Sequence, residues 1–144
     1  MSVPAGLDPQ DAATHLLAAH DDAWVAQLTT ELERRLQAGA LERVSRRWAL
    51  SRAELGTLFG VSRQAVSKWI AHGVPGDRVQ QVADIGAITD LLERYVEADR
   101  IAAVARRQAP GLGGASLIEL VSSGRSSEAL RLTRQMFMFT DVHS

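Results

Sequence analysis

The chain has 144 residues, 46% of them hydrophobic, no cysteine and a net charge of −1. That is enough apolar residue for one domain or two very small ones, and it excludes disulfides and thiolate metal sites. No stretch approaches the roughly 18 apolar residues of a membrane span, and the N-terminus lacks a signal peptide's basic segment and apolar core, so a soluble chain of the reducing cytosol is expected.

Prolines are few, at Pro4, Pro9, Pro75 and Pro110, and long stretches rich in Ala, Leu, Glu and Arg favour helix. No run of alternating β-branched residues stands between turn signals, so the fold predicted is all-α. Residues 1–7 read as a tail. Asp8 or Asp11 caps a short helix reaching about His20. A longer helix follows, with Trp24, Val25, Leu28, Leu32 and Leu36 forming one apolar stripe, Glu31 and Arg35 paired outside, and Gly39 as its end. Leu41, Val44 and Trp48 then share one face of a short helix. After Gly73-Val74-Pro75-Gly76, Asp77 is the expected cap of a helix striped by Val79, Val82, Ile85, Ile88, Leu92 and Val96. Asp90 and Arg94 pair on its outside. Asp99 restarts a helical piece carrying Ile101 and Val104. Residues 108–114 break the chain. Two short helices follow. The first opens with a Ser116–Glu119 capping box and closes at Gly124; the second is capped by Ser126 or Ser127 and carries Leu130, Met136 and Phe137.

The near-neutral total hides a local excess. Residues 40–76 carry Arg43, Arg46, Arg47, Arg52, Arg63 and Lys68 against Glu42 and Glu54, a local charge of +4. Such a patch is the footprint expected of a surface that meets a polyanion. Within it, two helix starts lie eleven residues apart. Ser51 with Glu54 makes a capping box, flanked by Leu50 and Leu55 as a hydrophobic staple. Ser62 caps the second helix, with Val61 and Val66 in the same staple positions. Gly60 between them permits a positive φ and a sharp turn, and Gly56 lets the two helices approach. Leu55, Phe59, Val61, Val66 and Trp69 are the apolar positions facing inward.

Leu55-Gly56, Phe59-Gly60-Val61-Ser62, Val66-Ser67 and Trp69 together resemble the helix-turn-helix of the Cro and phage-repressor (Xre) type. The resemblance covers about 22 residues and departs from the commoner Ala at Gly56. It implies that the second helix enters the major groove of double-stranded DNA. Arg63 would then read guanine and Gln64 adenine. Ser67 and Lys68 would reach bases or phosphates. Ser51, Arg52, Thr57, Ser62 and His72 would serve the backbone or the helix starts. One short recognition helix reads few bases, so a homodimer on an inverted repeat is expected.

In the C-terminal third, Val104-Ala105-Arg106-Arg107, Pro110-Gly111-Leu112-Gly113-Gly114, Ser116-Leu117-Ile118-Glu119-Leu120 and Gly124 resemble the toxin-binding domain of Xre/MbcA/ParS family antitoxins. Ala105-Arg106 departs from the Trp-Leu of that pattern. The resemblance implies a partner toxin of the NAD-consuming RES type and an autorepressed operon. Candidate partner contacts are Arg106, Arg107, Leu112, Met136, Phe137, Met138 and Phe139, the last four also being readable as a strand-like tail on a dimer mate. A small helical cap that completes the core or builds a homodimer fits the same segment, and so does a stand-alone or prophage-derived regulator. The organisation expected is a helical extension at 1–39, a helix-turn-helix domain at 40–98 and a toxin-binding or dimerisation domain at 99–144.

Other chemistry finds no support. The glycines of 111–114 are followed by no Gly-Lys-Ser/Thr and are no phosphate cradle. His15 and His20 are five apart, off the spacing of a helical metal pair. No Ser/His/Asp grouping is suggested. No enzyme activity, cofactor or metal is expected, and the protein is expected in the cytoplasm, on the nucleoid.

Overall fold

The computed structural model describes Gly6, residues 8–19 and residues 21–143, with side chains through Met138. Among the described residues there are eight α-helices and no strand, so the fold is all-α. The helices are α1 (Pro9–Ala19), α2 (Asp22–Arg47), α3 (Arg52–Phe59), α4 (Arg63–His72), α5 (Val79–Tyr95), α6 (Ile101–Arg106), α7 (Leu117–Ser122) and α8 (Ser126–His143). Contacts divide the chain into Met1–Glu33 and Arg34–Ser144.

In the first unit, each helix starts where an aspartate can accept the N–H bonds a helix leaves open. The Asp8 carboxylate accepts from the Asp11 N–H at 2.8 Å, and Asp21 accepts from Trp24 at 2.8 Å. His20, the expected end of α1, lies outside the described residues.

The expected break at Gly39 is absent, and α2 runs through it to Arg47. A mid-helix Gly is only about 1 kcal/mol worse than Ala, which is too little to end a helix that packing sustains. What ends α2 is Ala49, in the left-handed region at φ 52°. The Leu50 N–H reaches back to the Ser45 carbonyl at 2.9 Å, and the Ser45 hydroxyl donates to the Leu50 carbonyl at 2.6 Å.

The second unit has one core. Leu41 and Val44 of α2, Trp48 in the turn after it, Leu55 and Phe59 of α3, Val66 and Trp69 of α4 and the α5 stripe Val82, Ile85, Ile88 and Leu92 belong to it. Ile101, Leu112, Leu117, Leu120 and Leu130 belong to the same cluster. The 98/99 boundary expected from sequence falls inside this core. At its centre the buried Trp48 indole donates to the Thr89 hydroxyl at 3.1 Å, which donates to the Ile85 carbonyl at 2.8 Å.

Several local expectations are redirected by long-range partners. Asp77 does not cap α5. A 3-10 turn at Gly76–Arg78 precedes the helix, which has no side-chain cap. Asp90 pairs with Arg43 at 2.7 Å rather than with Arg94, whose guanidinium stacks 5.2 Å from the Tyr95 ring. Ser126 and Ser127 do not cap α8, because both hydroxyls donate to the buried Asp84 carboxylate, at 3.0 and 2.8 Å. The Ser116 hydroxyl does accept from the Glu119 N–H at 3.1 Å, but the Glu119 carboxylate accepts from the Gln108 amide, so the box is half formed. The last helix is 18 residues long, not short, and carries positions 136–139 as helix rather than strand.

Candidate nucleic-acid interface

The α3–α4 corner is built by local chemistry. The Ser51 hydroxyl accepts from the Glu54 N–H at 3.1 Å, while the Glu54 carboxylate accepts from the Ser51 N–H at 3.0 Å. Hydrogen bonding from Ser51, its backbone N–H first and its side chain second, holds the Glu54 carboxyl below its ordinary range, and Arg106 adds a smaller pull. The Ser62 hydroxyl accepts from the Ala65 N–H at 3.0 Å and opens α4. Gly60 turns the chain between them at φ 71°. Leu50, Leu55 and Val66 are buried, and the Phe59 and Trp69 rings meet edge to face at 5.5 Å.

Packing this side of α4 inward leaves the other side open. Arg63, Gln64, Ser67, Lys68 and His72 are all exposed. Ser51, Thr57 and Ser62 are exposed on or beside α3; the Thr57 hydroxyl donates to the Ala53 carbonyl at 3.2 Å. Half-buried Arg52 extends from the start of α3 to Ser67, its guanidinium 3.4 Å from that hydroxyl. The corner therefore brings residues from two helices onto one polar, cationic edge. Side chains of this type can donate to base edges and to phosphates.

Long-range bonds fix the corner's angle, and sequence reasoning missed all of them. Arg34 donates to the Ile70 and Ala71 carbonyls at 3.3 and 3.4 Å, and the Gln37 amide oxygen accepts from the Val74 N–H at 2.9 Å. Both anchor the C-terminal end of α4 to α2. Arg78 donates to the Phe59 carbonyl at 2.8 Å, at the C-terminal end of α3. Their partners lie 19 to 37 residues away, so no spacing signal announces them.

Of the C-terminal candidates, Arg107, Leu112, Met136 and Phe137 line one groove, and Arg106 stands apart from it. The Arg106 guanidinium is committed within the chain, donating to the Trp48 carbonyl at 2.7 Å and the Ala49 carbonyl at 3.1 Å. Leu112 is buried in the core. Phe137 is half-buried and stacked on Tyr95 with centroids 4.6 Å apart. Arg107 and Met136 are exposed, and Met138 is 66% exposed. The Phe139 side chain lies outside the described residues.

The family model of the antitoxin Xre-like helix-turn-helix domain matches residues 27–74, a third of the chain that contains α3, α4 and the part of α2 that anchors them. No curated protein and no solved structure matches the chain. No helix among the described residues is long and apolar enough to cross a membrane.

Proposed function

We propose that this Xre-type helix-turn-helix protein is a sequence-specific DNA-binding transcriptional regulator, acting as an antitoxin-like autorepressor of a toxin–antitoxin operon. The observation that carries the reading is the exposed edge of α4, where Arg63, Gln64, Ser67 and Lys68 stand clear of the core on a corner held rigid from both ends. Arg63 and Gln64, in the first turn of α4, are the base-reading residues. Ser67 and Lys68 reach bases or phosphates, while Ser51, Arg52, Thr57 and His72 position the corner on the backbone, with the two helix starts adding their N–H groups. The family match over residues 27–74 supports the same reading. The protein acts in the cytoplasm, on the nucleoid, as a homodimer. Its operator is an inverted repeat with half-sites about one helical turn, roughly 34 Å, apart. The C-terminal resemblance supports a RES-type toxin as the partner, met through the C-terminal helices.

Fluorescence anisotropy with DNA from upstream of the gene tests the first part. Affinity is expected to fall steeply with salt, and Arg63→Ala to cost about 1–3 kcal/mol while relaxing sequence preference. Equal weakening on every DNA would reduce Arg63 to a phosphate contact, and no binding at low salt would refute the reading. Co-purification with the product of the adjacent gene tests the second part. DNA binding without capture supports the stand-alone regulator instead.

A further inference from the structure

We infer that the C-terminal helices hold a site for a small amphipathic anion, of the medium-chain carboxylate class, with its chain in an apolar groove and its head on Arg107. The groove encloses about 320 Å³. That lies at the lower end of the range of small-molecule pockets, roughly 300–1,000 Å³. Leu92, Val104, Leu112, Leu117 and Phe137 wall it. Interiors are normally packed to crystal density, so unfilled apolar walls of this extent forgo contacts that a hydrocarbon chain would supply.

The polar groups at the groove decide the chemistry of the head. Thr133 donates its hydroxyl to the Ala129 carbonyl at 2.7 Å, and Gln108 gives its amide to Glu119 at 3.1 Å. Among the described residues, the Arg107 guanidinium has neither a hydrogen bond nor an ion pair. An exposed, unpaired guanidinium beside an apolar cleft selects a carboxylate, which it can bind through two parallel bonds. A cationic head would be repelled and a neutral one would gain less.

The groove is also adaptable. A Cβ on Gly111 would stand 2.9 Å from the Met136 Cγ and Sδ, so that side chain lies directly on the loop and lines the cleft. An unbranched thioether re-packs readily around a guest. Arg107, Leu112, Met136 and Phe137 are also candidate partner contacts, but the inference rests on the groove of the isolated chain and its test needs neither DNA nor a toxin.

The test uses the full chain and the fluorescent anion 1-anilinonaphthalene-8-sulfonate, displaced in turn by decanoate, decanol and decyltrimethylammonium. One saturable site is expected, with decanoate displacing the dye best and the cation worst. Arg107→Gln, at an exposed position, is expected to weaken decanoate about tenfold and leave decanol unchanged. Methyl NMR of labelled methionine is expected to show the Met136 signal moving with decanoate. Absence of saturable displacement, equal potency of the three head groups, an Arg107→Gln protein with unchanged decanoate affinity, or an unmoved Met136 signal would each overturn the inference.

Discussion

Gly56 and Val61 touch in a way that leaves no room for a side chain. The Val61 N–H donates to the Gly56 carbonyl at 2.8 Å, while a Cβ on Gly56 would stand 2.7 Å from the Val61 carbonyl oxygen. The Ser62 and Arg63 backbones lie only slightly farther, at 3.1 and 3.2 Å. Backbone cannot rotate aside as a flexible side chain can. Gly56→Ala gains helix propensity of about 0.5–1 kcal/mol, but overpacking costs about 1–3 kcal/mol. The variant is expected to be less stable by urea unfolding, with weaker DNA binding as α4 is pushed out. A stabilised Gly56→Ala protein would mean that the turn yields freely.

Ala49 makes the opposite case. It carries a Cβ in the left-handed region that Gly occupies without strain. Ala49→Gly is expected to stabilise the protein by about 0.5–1 kcal/mol, the relief of strain exceeding the extra freedom given to the unfolded chain. A lowered melting temperature would contradict this.

Arg106 ties α6 to the end of α2 through the Trp48 and Ala49 carbonyls, immediately before the Ser51 cap. Arg106→Leu is expected to cost about 1–3 kcal/mol, since both carbonyls lose a charged donor. Arg106→Lys is expected to recover only part, because a single ammonium does not reproduce the two-nitrogen fork. Chemical unfolding of both variants checks the order, and equal stability of Leu and Arg would remove the tie.

The Glu54 carboxyl is held below its ordinary value of 4.5 by its bonds to Ser51. A depressed acid pKa contributes stability that is present above that value and is lost as pH falls through the lower folded one. Glu128 behaves alike, through its bond to Arg125. Stability is therefore expected to fall with acid below pH 4.5, and Glu54→Gln to flatten that fall. An unchanged slope in the variant would assign the acid sensitivity elsewhere.

What could be read from sequence depends on how far apart the partners lie. The corner from Ser51 to Trp69 was legible because its determinants are local: two caps three residues from their donors, one turn glycine and an apolar stripe. The polar edge of α4 followed from that stripe as its complement. Asp90, Ser126, Ser127 and Arg106 were misread or left open because each is claimed by a group more than forty residues away. Leu112 sits in a glycine-rich loop with no periodicity to reveal its burial. Gly39 was overvalued as a stop because a glycine's modest cost yields to the packing of Leu41 and Val44 just beyond it.

The common core from Leu41 to Leu130 also governs how such a protein is dismantled. A protease that trims away α8 uncovers the apolar sides of α5 and of α7, the helix against which α3 of the corner packs. Clipping α8 is then expected to loosen the corner as well, because one apolar cluster joins the two.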